Sequence, residues 1–276
     1  MKRTKFMKTS VSRALQHIGS YCRRPVAVIV VILGLTLGIA ANTAVVNFAW
    51  GALVDALAGA SPDRLLMVSE RLPTGGNSPL IYSPADFEEL RQWNVSFAEV
   101  AAYDQKYSVL GESHGAKSLL TTSVSAGFFA LLDIQPEMGR FFVREDDRPE
   151  SELVVILSHQ LWKEHFHGDA KVVGASIILD KKSYQVVGVM PDGFHFPDQT
   201  ALWVPLALGP RELDDGTSYY LNVLARLKPG VSLRQAQTEL RGYMQRLGPQ
   251  ITPNIATRSV LLDPVYDHLK GRLETL

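Results

Sequence analysis

The 276-residue sequence has a single cysteine, Cys22, so no disulfide forms within the chain and no thiolate-rich zinc or iron–sulfur site can be built from it. It has no excess charge of either sign, with 28 Lys+Arg against 28 Asp+Glu. A nucleic-acid partner is therefore disfavoured, because phosphate binding calls for a basic excess. No internal repeat or low-complexity tract interrupts residues 60–276. Charged residues are missing altogether between Arg24 and Asp55. What remains is 46% hydrophobic and 20% charged, the composition of a chain that folds.

The zero average hides a segregation. Residues 1–24 carry seven bases (Lys2, Arg3, Lys5, Lys8, Arg13, Arg23, Arg24) and no acid, leaving 21 basic against 28 acidic residues downstream. The uncharged run that follows, PVAVIVVILGLTLGIAANTAVVNFAWGALV at 25–54, exceeds the ~20 residues a helix needs to cross a bilayer. It predicts a transmembrane helix over 25–54 embedded in the lipid bilayer. The bases before it place residues 1–24 in the cytoplasm and the acidic remainder on the periplasmic side of a bacterial inner membrane. A cleaved signal peptide has an apolar core of only ~7–15 residues, which argues for an uncleaved anchor despite Ala40, Ala41 and Ala44. Gly34 and Gly38 form G-x-x-x-G, which lets a second helix approach closely, so they are the helix-packing candidates.

Beyond residue 60 the pattern alternates between helix and strand signals. Ser83-Pro84 before ADFEELRQW reads as an N-cap followed by proline at the first helical position. Phe97–Leu110 and KSLLTTSV at 117–124 read as strands around a glycine-bounded turn at Gly111–Gly115. AGFFALLDI after Ser125 reads as a short helix, LVVIL at 153–157 as a buried strand, and HQLWKEHF as a helix capped by Ser158. Residues 175–179 and 184–190 form a predicted hairpin turning at Asp180-Lys181-Lys182. Tyr219–Leu227 reads as a strand, Ser232 caps a helix with Leu233, Ala236, Leu240 and Tyr243 on one face, and Arg258–Val265 returns as a strand. This mixed order is that of an α+β domain.

Several motifs hint at chemistry, and each has a plainer explanation. Gly111-Glu112-Ser113-His114-Gly115 satisfies G-x-S-x-G, but a nucleophilic serine there requires a helix after the motif, and KSLLTTSV reads as strand. GESHGAKS approaches a phosphate-binding loop ending at Lys117-Ser118, yet Ala116 stands where the second glycine belongs. His159, His165 and His167 lack the i, i+4 spacing that brings two imidazoles to one metal, and read as surface histidines. Glu145-Asp146-Asp147 reads as a solvated acidic turn, without the spacing of a calcium loop. Asn94-Val95-Ser96 matches a glycosylation sequon, which carries little weight in a bacterial chain. No catalytic, cofactor-binding or metal-ligating set is predicted, and the reading is that of a non-enzyme.

LGIAANTAVVN at 37–47, SPDRL at 61–65, YSPADFEELR at 82–91, SAGFF at 125–129, GRFF at 139–142, VVILSHQLW at 154–162, VVGASIILDKKSYQVVGVMPDGFHFP at 172–197 and LARLKPGVSLRQAQTEL at 224–240 follow one another in a familiar order. Together they resemble MacB-type ABC transporter permeases, within which the chain is most similar to the orphan duplicated permeases of acidobacterial type. The resemblance implies an anchoring helix and a periplasmic core over 61–266 with two subdomains. One is porter-like, from 61–123 and 216–266; the other, over 124–215, is inserted into it. It further implies a separate ATP-binding cassette ATPase subunit, a permease dimer and an adaptor on the periplasmic side. Three later transmembrane helices of the family have no counterpart before Leu276, so the chain resembles a truncated permease. The other expectation is a stand-alone, single-span anchored binding or adaptor module.

Overall fold

The structure, a computed structural model, describes residues 64–71, 81–93, 95–111, 116–215, 218–251 and 259–265. The expected transmembrane run at 25–54, with Gly34 and Gly38, and the Ser113 motif lie outside the described residues. Among the described residues no helix is long and apolar enough to cross a membrane.

Ten strands share one continuous hydrogen-bonded network: β1 (Leu65–Arg71), β2 (Phe97–Leu110), β3 (Lys117–Val124), β4 (Met138–Gly139), β5 (Val154–Leu157), β6 (Ser176–Leu179), β7 (Lys182–Val189), β8 (Leu202–Pro205), β9 (Asn222–Leu227) and β10 (Ser259–Pro264). Among the described residues five α-helices accompany them: α1 (Pro84–Gln92), α2 (Phe128–Leu132), α3 (His159–Phe166), α4 (Pro210–Asp214) and α5 (Leu233–Ile251). The α+β character expected from the sequence is the observed one.

The network contains two modules of different construction. In the first, β10, β1, β9 and the first half of β2 lie side by side, each antiparallel to its neighbour. Helix α1 connects β1 to β2 across β9, and α5 connects β9 to β10 across β1, so two split β-α-β units interleave. Alternation along the strands sets the buried face. Leu66 and Val68, Val223 and Ala225, and Phe97 and Ala102 meet Phe87 and Leu90 of α1 and Ala236 and Leu240 of α5. Helix α1 starts as its sequence dictates: Pro84 occupies the first turn and the Ser83 hydroxyl accepts the Asp86 N–H at 3.1 Å. At its far end Trp93 packs against Tyr243 of α5 in a tilted arrangement, with ring centroids 5.0 Å apart.

The second module is a closed ring. The outer half of β2 pairs with β3, then β8, β5, β7 and β6 follow, and β6 returns to β2 through Leu110 opposite Leu179. Its interior is filled by Leu119, Val155, Leu157, Val186, Leu202 and Val204, with Leu161 and Trp162 of α3 covering it. Closure depends on the β6–β7 turn, where Asp180 and Lys181 both take positive φ (49° and 64°), the geometry of a tight type I′ hairpin turn. An aspartate tolerates that geometry, and here it has a second task. The Asp180 N–H donates to the Val109 carbonyl at 2.9 Å, and its Oδ1 accepts the Val109 N–H at 2.8 Å, sealing the ring edge to edge. Strand β4 abuts β7 through two glycines. Gly139 has φ +76°, and a Cβ there would lie 2.2 Å from the Val187 carbonyl, while one on Gly188 would lie 2.5 Å from the Arg140 carbonyl.

Candidate functional site

The residues with the most unusual surroundings lie where the two modules meet. Strand β2 belongs to both. Tyr103 pairs with Asn222 of β9 on one side and with Val124 of β3 on the other. Beyond this level β9 has no register, and on the other side β3 and β8 end together, with Val124 opposite Pro205. Strand β2 is thus the one strand of the network that runs through both modules.

Three sets of contacts reinforce that crossing. The first is apolar. Phe128 and Phe129 of α2 pack edge-to-face at 5.4 Å; Phe128 also meets Tyr103 and Phe196, and Phe129 stacks on Phe141 at 4.6 Å and meets Trp203 of β8. Such pairs add about 0.5–1.5 kcal/mol each beyond their buried area. The second is a long arginine reach. Arg226 lies on the β9 face opposite α1 and α5, where Nε donates to the Leu131 carbonyl at 2.7 Å, beside Asp133 at the C-terminal end of α2. Burial lowers the Arg226 pKa, with Asp133 opposing that shift and Arg64 adding to it.

The third is a carboxylate clasp. Asp147, in the loop between β4 and β5, accepts the Ala126 N–H on Oδ2 at 2.9 Å and the Ala207 N–H on Oδ1 at 2.8 Å. The two amides come from the segments that follow β3 and β8: the first leads through α2 to β4, the second through α4 to β9 of the first module. Burial pushes the Asp147 carboxyl above its ordinary value, against the Ala207, Ala126 and Leu206 N–H groups and Arg91 of α1. Nearby, Glu99 of β2 is likewise raised by burial, opposed by Arg144 and Arg91. Its carboxylate fills the space above Gly127, where a Cβ would lie 2.4 Å from Oε1.

The solvated acidic turn expected at 145–147 is therefore corrected. Glu145 is exposed, but Asp146 accepts two hydrogen bonds from the Arg140 guanidinium (2.5 and 3.1 Å) and one from the Val143 N–H. Burial works to raise the Asp146 carboxyl, yet Arg140 and the Val143 N–H hold it below its ordinary value. The histidines separate: His165 and His167 are exposed, whereas His159 is half-buried, its Nδ1 2.5 Å from Glu137 Oε2 and its ring against Trp162. Among the described residues no group of three or more histidine, cysteine or acidic side chains is placed to hold a metal. Lys117 and Ser118 lie on β3, so a strand stands where both a nucleophile elbow and a phosphate loop require a helix. Phe128-Phe129 and Phe141-Phe142 stand within SAGFF and GRFF, but no sequence reading marked these aromatic pairs as a meeting place. Nothing in the sequence singled out Asp147 or Arg226.

The described residues thus form an interleaved helix-and-sheet module and a strand-closed module that share β2, with a polar and aromatic seam where they meet. The model of the MacB-like periplasmic core domain matches residues 28–243, and the chain belongs to that family. The fold is shared with the periplasmic region of MacB from Actinobacillus actinomycetemcomitans (TM-score 0.56, 16% identity, covering 77% of this chain and 94% of that one). It is also similar to a domain of a permease protein from Porphyromonas gingivalis (0.56, 15%, 74% and 91%). A third similar structure is the extracellular domain of the noncanonic ABC-type transporter YknZ from Gram-positive bacteria (0.52, 13%, 71% and 99%). No curated protein matches the sequence.

Proposed function

We propose that the protein is a permease subunit, or part of one, of a MacB-like ABC transporter in the bacterial inner membrane. It couples ATP hydrolysis by a separate cytoplasmic ATPase to movement of its periplasmic domain and to efflux. The observation that carries this reading is the family match over 28–243, which begins inside the apolar run. Residues 25–54 act as a single anchoring helix with a cytoplasmic N-terminus, because a charge at the centre of that run would cost ~2.5–3.5 kcal/mol. The Trp50–Ser61 stalk passes motion to the core over 61–266, in which 124–215 is the inserted subdomain. Permeases pair as a dimer through Gly34 and Gly38, and an adaptor meets the periplasmic side.

The test is affinity purification of the full chain from its own membranes, with co-purifying proteins identified by mass spectrometry. Stoichiometric recovery of an ATP-binding cassette ATPase supports the transporter. Recovery of periplasmic proteins alone supports an anchored adaptor module instead. Replacing Gly34 and Gly38 by leucine is expected to abolish self-association while the ectodomain keeps its circular dichroism. Unchanged association would remove the packing role.

A further inference from the structure

We propose that Asp147 is the pin of a joint between the two modules: from the β4–β5 loop its carboxylate clasps Ala126, at the start of α2, and Ala207, whose neighbours Leu206 and Leu208 pack on the first module's core, and its release lets the ring tilt about β2 at Tyr103. Three features of the geometry converge on this assignment. Strand β2 alone runs through both modules, so the ladder supplies one flexible axis and no second strand to resist bending. Several short polar ties cross the axis among the described residues. They include the Ser125 N–H to the Ala102 carbonyl (2.9 Å), the Ala102 N–H to Ser125 Oγ (3.0 Å), the Arg226 reach to Leu131, and the Asp147 clasp. The Leu206 N–H also ties the β8 exit to the Val124 carbonyl of β3 (2.8 Å), and of all these bonds only the clasp brings the β4–β5 loop to both exits. Finally, Ala207 holds φ +48°, a conformation a non-glycine residue rarely keeps without an outside constraint, and the bond to Asp147 falls on that residue's own N–H.

The loop that presents Asp147 is built to hold it. Asp146 next to it is fixed by Arg140 and the Val143 N–H, and Ser151 Oγ donates to the Glu145 carbonyl, so the aspartate is delivered from a braced turn. A clasp made of one side chain and two main-chain amides can open without unpairing any strand. A β-ladder spanning both modules could not. The apolar interiors stay closed on either side while the joint opens, which is the requirement for rigid-body tilting of packed units.

Amide hydrogen exchange on the full 276-residue chain tests the joint. In the unsubstituted protein the Ala126 and Ala207 amides are expected to exchange faster than those of Val155 and Ala225, in the middle of β5 and β9. Equal protection at all four positions would show a fused block and overturn the proposal. With Asp147→Ala the Ala126 and Ala207 amides are expected to exchange about tenfold faster or more, with Val155 and Ala225 unchanged, as loss of a charged hydrogen-bond acceptor implies. Asp147→Asn, which keeps one carbonyl acceptor, should fall between. An equal rise at all four amides would mark Asp147 as a general stabiliser, and no rise at Ala126 and Ala207 would remove the clasp. Either overturns the proposal.

Discussion

The two modules bury their interiors by opposite means. The helix-and-sheet module covers one face of a four-stranded sheet with α1 and α5, so its core forms from a sheet face and two helix stripes. The ring encloses its core with its own strands and needs α3 only as a cover. Closure makes the ring dependent on backbone fit at a few points: the Asp180 seal and the paired glycines of β4 and β7. The helix-and-sheet module depends on side-chain packing that adjusts more readily. A ring that fails at one point loses its closure, whereas a layered core loses one contact.

The largest effect expected from this contrast is at Gly139. Alanine there would put a methyl 2.2 Å from the Val187 carbonyl on a backbone at φ +76°, and neither strand can yield without opening β4 from β7. A loss of about 3 kcal/mol or more is expected in urea unfolding. Gly174, at φ +92° with nothing within 4 Å of its added Cβ, suffers only the conformational strain, about 1 kcal/mol on replacement. Equal losses at the two glycines would mean that close approach is not what fixes the ring.

Next in size are truncations inside each core. Leu66→Ala in the layered module and Leu157→Ala in the ring both empty fully buried sites, and each is expected to cost about 2–5 kcal/mol. The comparison sharpens if the transitions differ. Trp93 reports on the layered module, while Trp162 and Trp203 report on the ring. Separate midpoints in Leu157→Ala, with single-tryptophan variants as probes, would show two folding units. One shared midpoint would show that the aromatic seam couples them. Below these come the caps. Ser83→Ala and Ser158→Ala each remove one side-chain acceptor at a helix start, at 3.1 Å in both cases, and each should cost about 1 kcal/mol. If Ser158→Ala cost far more than Ser83→Ala, α3 would be part of the ring's closure and not merely its cover.

These cap residues were also where the sequence was most informative. Ser83 before Pro84, Ser158 before a periodic segment and Ser232 before α5 each mark a helix start through local hydrogen bonding, and each start is where the spacing put it. The β6–β7 hairpin followed the same logic. Strands β1 and β8 carried no such mark. LLMVSER has no period-two pattern, because Leu65 to Ser69 are buried on both faces of the sheet, and LWVP is a four-residue strand that itself ends on Pro205. Closure of the ring was illegible for a stronger reason: it rests on Asp180 meeting Val109, 71 residues away in the chain, and no local signal encodes a partner at that distance. Asp147 is the same case. A carboxylate within an acidic triplet reads as solvated until the fold brings Ala126 and Ala207 to it.

The smallest expected effect concerns pH, and it distinguishes the seam from its surroundings. Glu99 and Asp147 at the seam, Asp104 next to Tyr103 on β2, and Glu89 on α1 are raised chiefly by burial, so the folded state binds their protons more tightly than the unfolded chain does. Stability should therefore rise as pH falls from neutral, through the raised values and down to the ordinary carboxylate value. Asp146 and Glu88 work in the other direction. Arg140 holds the first below its ordinary value and Arg91 and Gln92 hold the second there, against burial in both cases, so their contribution is lost only below the ordinary range. The two windows lie on opposite sides of the ordinary carboxylate value, and a shallow maximum in melting temperature is expected between them. Asp147→Asn, which removes one raised group and none of the lowered ones, should flatten the neutral side of that maximum and leave the acid side in place. If it flattened the acid side instead, the Asp147 carboxylate would be held in its charged form by the amides it accepts, and the seam would be strongest at neutral pH.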